Sequence, residues 1–373
     1  MEKKIIEEIT GTIQEEIKAE PSNKDQSNNK KKTFKKSPSL KVENHPRRKS
    51  LKGETNKKIT SSKDLPLKKG NVLQLNGNAG LKKKYKCLKT YTNAHQDFIE
   101  KLVIFKNGKI ASLSYDFTIK IWDIDEMSKK AIFHLKGHTN RVTDIIQYTN
   151  VLLCSVSQDK TIRKWNINTG KEVYCYEMKH PFLCVCPATD VTVCCGGGDK
   201  ALRFYDLSTD KQIDESFILE GHSEVVTCLL QINNFTIASG SSDNSIRFWD
   251  FEKKKHLFTL EGHHSSVSCL KILKDKRFAS GSYDSTIIIW NIEKRDIDMT
   301  FNIGTAHILC LSQLPDGRLV SGGSDWTITI WNMTTGSNDI SFEAHEEAVT
   351  GIVVSVDGKI ISASRDKNIK VWE

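Results

Sequence analysis

The chain has 373 residues, of which 38% are hydrophobic, and a formal net charge of +9. The first 80 residues hold 19 Lys and Arg against 10 Asp and Glu, so all of the excess positive charge lies there and the remainder is neutral overall. A neutral body argues against a domain built mainly to hold nucleic acid, and no apolar run is long enough to span a membrane.

The first segment, residues 2–19, carries a narrow apolar stripe in which isoleucine recurs every four residues, a spacing that indicates a short helix. A lone helix of this length is marginal in water. Two interpretations stay open: a nascent helix within a disordered tail, or a helix that folds when it docks on a partner. The stripe consists of Ile5, Ile9, Ile13 and Ile17.

The rest of the leader, residues 21–80, is rich in Lys, Asn, Ser and Pro. Such a composition cannot offset the entropy of ordering, so we expect residues 1–80 to form a disordered, Lys-rich tail. Its basic clusters, within 30–36 and 47–49, suit nuclear import, nucleic-acid contact or a plain solvated linker. The second cluster precedes Ser50 and resembles a basophilic kinase site, where phosphate would remove nearly two positive charges.

From residue 81 onward an Asp recurs at intervals of 43, 40, 44, 41, 41 and 41 residues, and an aromatic residue follows each Asp at a fixed distance. Short alternating apolar runs, bounded by Asp, Gly, Asn and Lys, predict β-strands between these points. One such unit cannot bury both faces of its small sheet, whereas several units stacked in a ring can. The pairs are Asp116/Trp122, Asp159/Trp165, Asp199/Tyr205, Asp243/Trp249, Asp284/Trp290, Asp325/Trp331 and Asp366/Trp372.

The fullest repeat begins at Gly221-His222 and ends at Trp249-Asp250. With this motif and this period, residues 81–373 resemble the WD-repeat, G-protein beta-subunit-like family. The resemblance implies an all-β fold, a seven-bladed β-propeller of four-stranded antiparallel blades, preceded here by the disordered basic tail.

The family resemblance also implies a structural role for four side chains in each complete repeat. The Asp holds the His in a tight turn, and the His reaches a Ser and then the Trp ring nitrogen. We reject a catalytic triad, because an enzyme needs one activated nucleophile and not five copies; we therefore expect no catalytic residue. The five sets are His95/Ser112/Asp116/Trp122, His138/Ser155/Asp159/Trp165, His222/Ser239/Asp243/Trp249, His263/Ser280/Asp284/Trp290 and His345/Ser362/Asp366/Trp372.

Two repeats depart from this pattern. The third has Cys195 and Tyr205 in place of Ser and Trp, and its His is out of register. The sixth has Gly304 where the His is expected. We therefore do not extend the hydrogen-bond network to these two blades, and we expect them to be less rigid.

All ten cysteines follow residue 86, and four of them share the position fifteen residues before the repeat Asp. In a propeller this position lies on the innermost strand, where a free thiol packs as a small hydrophobe. No CxxC pair occurs, so we expect neither a metal site nor a cofactor. Reduced thiols predict an intracellular location, cytoplasmic, nuclear or both. The four are Cys184, Cys228, Cys269 and Cys310.

The resemblance implies that the loops flanking each repeat Asp open on one rim, the usual docking face of such propellers. Large residues in these loops are unexpected, because tight turns favour Gly, Asn, Asp and Ser, whereas Trp, Tyr and Arg are enriched at binding hot spots. The alternative is that they pack on neighbouring loops. The candidate binding residues are Tyr115, Phe117, Lys160, Lys200, Tyr283, Trp326, Arg365 and Lys367.

Three function classes remain. The first is a non-enzymatic scaffold that docks a protein or peptide, including acidic or phosphorylated ones, on this rim. The second is a substrate receptor of a ubiquitin ligase or other modifying complex. The third is a nucleic-acid or chromatin factor that works through the basic tail. We expect a monomeric propeller within a larger complex.

The last expectation concerns ring closure. The chain reaches Glu373 after the third strand of the seventh repeat, so its outermost strand has to come from elsewhere. Residues 85–92 precede the first repeat and match the outer strands of the other repeats, with Thr92 at the place of the usual Leu or Phe. We predict that this stretch pairs with Asn368–Trp372, since an unpaired edge would invite aggregation.

Overall fold

The computed structural model describes residues 85–124, 130–210 and 215–373. The expected helix at 2–19, the tail and Ser50 lie outside the described residues, and the domain boundary at residue 81 stays a prediction. Within the described part, no helix is long and apolar enough to cross a membrane.

The described residues form 28 strands in seven four-stranded antiparallel sheets, which confirms the predicted fold class. In chain order the strands are β1 (Cys87–Tyr91), β2 (Ile99–Ile104), β3 (Ile110–Ser114), β4 (Ile119–Trp122), β5 (Phe133–Leu135), β6 (Val142–Gln147), β7 (Leu152–Ser157), β8 (Thr161–Asn166), β9 (Glu172–Glu177), β10 (Phe182–Pro187), β11 (Thr192–Gly197), β12 (Leu202–Asp206), β13 (Glu215–Leu219), β14 (Val226–Gln231), β15 (Thr236–Ser241), β16 (Ile246–Asp250), β17 (Lys255–Leu260), β18 (Val267–Ile272), β19 (Arg277–Ser282), β20 (Thr286–Asn291), β21 (Asp296–Asn302), β22 (Ile308–Gln313), β23 (Leu319–Gly323), β24 (Thr327–Trp331), β25 (Asn338–Glu343), β26 (Val349–Val354), β27 (Ile360–Ser364) and β28 (Ile369–Trp372).

Blades one to six each take four consecutive strands, beginning with β2–β5 and ending with β22–β25, and blade seven joins β26, β27 and β28 to β1. The innermost strands of successive blades contact one another, and β26 contacts β2, so the seven blades form a closed ring. The four cysteines that share one position lie on the innermost strands of blades three to six, as the sequence predicted.

Hydroxyl groups link neighbouring blades around the central channel. The Oγ1 of Thr143 donates a hydrogen bond to the carbonyl of Phe182 in the next blade at 2.8 Å. The equivalent hydroxyl of Thr350 donates to the carbonyl of Ile99 at 2.6 Å, which joins blade seven to blade one. Each bond pairs a backbone carbonyl at the start of an inner strand with a side chain one blade away, which fixes the angle between blades.

The core lies between the blades. In the cluster shared by blades four and five, Phe248 and Phe278 are fully buried, and their rings meet edge to face with centroids 5.6 Å apart. Trp290 packs against the same cluster at 2% exposure. Each blade thus buries one sheet face against the next, which a single blade could not do.

The predicted closing strand is present. β1 pairs antiparallel with β28, and the backbone groups of Lys86 and Glu373 exchange two hydrogen bonds at 2.8 and 3.1 Å. The expectation for Thr92 is wrong: Tyr91 pairs with Ile369, the position that Leu135 occupies opposite Ile119 in blade one. Tyr91 is 2% exposed and takes the buried place in the closing blade.

Candidate functional site

Each repeat Asp lies in the turn between the second and third strands of its blade, and these seven turns form one rim of the ring, hereafter the Asp-turn rim. Blade five shows how the turn is held. Asp284 accepts a hydrogen bond from Thr286 Oγ1 at 2.6 Å and bonds to His263 Nδ1 at 3.0 Å. His263 Nε2 meets Ser280 Oγ at 2.6 Å, and Trp290 Nε1 donates to the same oxygen at 2.8 Å.

The contacts that link Asp, His, Ser and Trp occur in blades one, two, four, five and seven. The distance from His Nδ1 to the Asp carboxylate is 2.8–3.0 Å, and that from His Nε2 to Ser Oγ is 2.6–2.8 Å. An ionised carboxylate only accepts, so the ring proton sits on Nδ1 and the neutral imidazole accepts from the Ser hydroxyl at Nε2. Burial lowers the pKa of all five histidines, against the opposing effect of the Asp.

Trp165 of blade two has a second role besides the hydrogen bond that the sequence predicted for it. Its Nε1 donates to Ser155 Oγ at 2.8 Å. Trp165 is also a core residue: it is 1% exposed and belongs to the hydrophobic cluster between blades one and two, together with Leu113 and Leu153. Trp165 therefore stabilises the packing of two blades as well as one turn, and its side chain is inaccessible to a docked partner.

The two departing blades differ from each other. In blade three, Asp199 pairs with Arg203 instead of an imidazole, and Cys195 and Tyr205 are buried. In blade six, Trp331 Nε1 still donates to Ser321 Oγ at 2.8 Å. Blade six therefore keeps the Trp–Ser half of the network, although we did not expect the network in this blade.

Blades five and six therefore form a matched pair for measuring the network. Ser280→Ala leaves a buried imidazole nitrogen and a buried indole N–H without partners, and we expect a loss of about 2–4 kcal/mol in the free energy of unfolding. Ser321→Ala orphans only the indole N–H, and the expected loss is about 1–2 kcal/mol. Urea unfolding of both variants measures the difference. Equal losses would show that the bond between His263 and Ser280 adds nothing to stability.

The residue after each repeat Asp has a left-handed backbone in all seven turns, with φ between 64° and 70°. Gly and Asn adopt this conformation readily, but a bulky side chain there costs about 1–2 kcal/mol. Phe117 and Trp326 accept this cost and are also 43% and 48% exposed. The seven residues are Phe117, Lys160, Lys200, Asn244, Ser285, Trp326 and Lys367.

Two of the predicted binding lysines donate hydrogen bonds to neighbouring blades. Lys200 Nζ donates to the carbonyl of Ser223 at 2.5 Å, and Lys367 Nζ donates to that of Gln96 at 3.0 Å. These two lysines therefore pack on the adjacent loop, which is the alternative that the sequence left open. Lys160 and Lys200 are both exposed, and Lys367 is half-buried.

The residues directly before the repeat Asp lie in a different place from those directly after it. Tyr115, Tyr283 and Arg365 line one cavity of about 420 Å³ at the end of the central channel, together with Glu100 and Arg141. None of the residues that follow the Asp lines this cavity. The predicted surface thus divides into an inner group, hereafter the channel mouth (Glu100, Tyr115, Arg141, Tyr283 and Arg365), and an outer group on the rim.

The channel mouth contains a connected set of polar groups. Arg141 donates a hydrogen bond to the hydroxyl of Tyr115 and lies over its ring, with 5.0 Å between guanidinium carbon and centroid. Burial raises the pKa of Tyr115, and so does its hydrogen-bonded neighbour Glu100. Burial also raises the pKa of Tyr283, with Glu100 and Arg365 acting in opposite directions. Both tyrosines therefore keep their hydroxyl protons at neutral pH.

Sequence reasoning missed Glu100 and Arg141. Glu100 lies sixteen residues before its repeat Asp, where four other repeats have Ser or Thr. An alignment of the seven repeats would have identified Glu100, because it is an acidic residue at an inner-strand position where most repeats have a hydroxyl residue. That position faces the channel. Within the described residues, no group of three or more His, Cys, Asp or Glu is placed to hold a metal ion.

The WD domain, G-beta repeat family matches the chain at residues 85–123, 129–166, 214–250, 254–291, 299–332 and 336–373. The unmatched stretch between the second and third matches contains the three inner strands of blade three, which lacks the His, Ser and Trp of the motif. No curated protein matches the sequence. Propellers of this kind generally act as protein-interaction scaffolds and are typically non-enzymatic. Each match spans the outermost strand of one blade and the three inner strands of the next. Because the six matches cover more than half of the chain, the protein belongs to the WD-repeat (WD40) family.

Proposed function

We propose that this protein is a non-enzymatic scaffold that docks a protein or peptide on the Asp-turn rim, with the channel mouth as the anchoring point. The observation that carries the proposal is the convergence of Tyr115, Tyr283, Arg141 and Arg365 around one cavity. Tyrosine and arginine are among the residue types that dominate binding energy at interfaces.

The charges of the channel mouth support a docking role. Arg141 and Glu100 both interact with Tyr115, so these two opposite charges are linked through one hydroxyl. Arg365 is exposed, and its guanidinium makes no hydrogen bond or ion pair within residues 85–124, 130–210 and 215–373. An arginine without an internal partner beside an exposed tyrosine is available to a ligand, and Tyr283 is 43% exposed.

Partner capture tests the proposal. The full chain and its variants Tyr283→Ala and Arg365→Glu are used as baits, and captured proteins are quantified by mass spectrometry. Each variant is expected to lose about tenfold or more of the specific partners, the size of a hot-spot effect. Melting should change little, because both side chains are exposed.

The opposite rim provides the control. Val356 is 95% exposed in the turn between β26 and β27, at the far end of the strands from Asp366. Val356→Asp should leave capture unchanged. Full capture by both channel-mouth variants, or loss of capture in the Val356 variant alone, would contradict the proposal.

We also propose that the protein works inside the cell, cytoplasmic, nuclear or both, as a monomeric propeller within a larger complex. Ten unpaired cysteines support a reducing compartment. Roles as a ligase substrate receptor or a nucleic-acid factor would use an adaptor or the basic tail, which lies outside the described residues.

A further inference from the structure

The missing histidine of blade six changes the state of its repeat Asp. In the five complete blades the Asp side chain is bonded to an imidazole and at most 9% exposed. Asp325 has no imidazole partner, is exposed, and bonds only to Thr327 N and Oγ1, at 3.3 and 3.0 Å, within the described part of the chain. The repeat Asp holds the turn through a buried histidine in the five complete blades, whereas in blade six its carboxylate lies at the surface.

The next residue, Trp326, is unlike the other six tryptophans. Those six are at most 6% exposed, and each donates its indole N–H to a Ser hydroxyl. Trp326 is 48% exposed in a left-handed turn. Among the described residues no cation lies over its ring, although cations cover the rings of Tyr115, Phe217 and Phe258.

The surroundings of Trp326 are acidic. Glu343 pairs with Thr327 across β24 and β25. The carbonyl of Trp326 accepts the backbone N–H groups of Ala344 and His345, so Glu346 and Glu347 follow directly beside it. Together with Asp325, these three glutamates make four exposed carboxylates near one exposed indole.

The nearby cations of blade seven are directed elsewhere. Lys367 Nζ binds the carbonyl of Gln96 in blade one. Arg365 lines the channel mouth, on the inner side of the rim. Lys370 Nζ donates to the carbonyl of Ala344, beside the strand that Trp326 contacts, at 2.7 Å. These three cations of blade seven thus bind backbone carbonyls or lie toward the channel, whereas the exposed charges of Asp325, Glu343, Glu346 and Glu347 are negative.

We propose that Trp326 and Asp325 bind a lysine or arginine side chain from a basic segment of the docked protein. This inference rests on the proposed docking function and specifies the partner's chemistry on the outer part of the rim. The face of an indole attracts a cation, and Asp325 supplies a countercharge that forms no ion pair with any cation among the described residues. The flanking glutamates favour a basic segment over an acidic one and disfavour a nucleic-acid backbone.

The test uses the indole N–H of Trp326. Within the described residues it is the only one of the seven not bonded to a Ser, so it should give a separate signal in a ¹H–¹⁵N spectrum of the full chain. Its assignment comes from its absence in Trp326→Phe. Tetra-arginine, tetra-citrulline and tetra-glutamate peptides are titrated separately, since citrulline keeps the shape of arginine without its charge. We expect the signal to move with tetra-arginine alone.

Asp325→Asn is expected to weaken tetra-arginine binding about fivefold or more, because a close ion pair supports the cation–π contact. The matched control is Asp357→Asn, which removes an exposed carboxylate from the opposite rim and should leave the affinity unchanged. An equal effect of both variants would reduce the binding to general charge attraction and overturn the proposed site.

Other results also overturn it. No response to tetra-arginine, or an equal response to tetra-citrulline, rules out a cation site. A response seen only after Arg47, Arg48 and Lys49 are replaced by Ala would mean that this chain's own tail occupies the site. Partner capture separates the two proposals: loss of capture in Tyr283→Ala with an unresponsive indole leaves the docking face standing and removes only the cation site.

Discussion

A chain that starts at residue 93 is expected to melt far below one that starts at residue 81 and to aggregate on purification. The shorter chain lacks β1, so β28 loses its antiparallel partner and becomes an exposed edge. The buried side chain of Tyr91 is lost as well, and removal of a large buried aromatic costs about 3–5 kcal/mol.

Thermal melting and light scattering of the two chains measure this effect. Lys86→Pro in the full chain is a milder version, because proline cannot donate the hydrogen bond that the N–H of Lys86 makes to the carbonyl of Glu373. Indistinguishable melting of the chains from residues 81 and 93 would show that blade seven is stable with three strands, and the closure would then be incidental to stability.

The second large effect is a loss of stability in mild acid. Burial lowers the pKa of His95, His138, His222, His263 and His345 below their ordinary value of 6.5. These histidines are neutral in the folded protein, whereas the unfolded chain binds protons as the pH falls below about 6.5. The unfolded state then holds more protons, so the free energy of unfolding decreases with falling pH.

The expected loss reaches up to about 2 kcal/mol per histidine at pH 5, the difference between protonating an ordinary imidazole and leaving a buried one neutral. A second loss follows below the usual pKa of Asp. Burial alone would raise the pKa of Asp366, but its hydrogen bond to His345 outweighs this and lowers the pKa to about 2. The ionised carboxylate therefore stabilises the fold until the pH falls through that range.

Denaturant unfolding between pH 7.5 and pH 5 measures the first loss. His263→Gln, which does not titrate, is expected to be less stable at pH 7 and to show a shallower dependence on pH. A slope identical to that of the unchanged protein would show that His263 does not contribute to the acid sensitivity.

The repeat architecture was predictable because its signal is repeated seven times. The fixed distance from the Asp to the aromatic residue locates the turn and the third strand in every repeat independently. A wrong strand assignment in one repeat therefore does not affect the assignment of the others. The error at Thr92 arose from counting backward from His95. The connection there has one more residue than that before His138, and Asn93 adopts a left-handed backbone, with φ 50°, to accommodate it.

The candidate site was only partly predictable. The sequence places Tyr283 and Trp326 next to their Asp residues, but it does not say which way a turn directs them. The left-handed backbone after the Asp sends Trp326 outward, while Tyr283, before its Asp, lines the channel. Glu100 joins the site from an inner strand, and such a contact depends on the tertiary arrangement alone. The core contacts of Trp165 also depend on the tertiary arrangement, because two blades contribute residues to its hydrophobic cluster.

The cysteines of the inner strands make local opening measurable. Burial raises the pKa of Cys184, Cys228, Cys269 and Cys310, so these thiols react slowly with an alkylating reagent while their strands are in place. Blades three to six each carry one such thiol at the same strand position, buried at Cys184 and Cys310 and half-buried at Cys228 and Cys269, and the rates of labelling report the opening of each blade. Blade five has the complete hydrogen-bond network, whereas blade six lacks its histidine. A faster reaction at Cys310 than at Cys269 would therefore show how strongly one buried imidazole slows the opening of a blade.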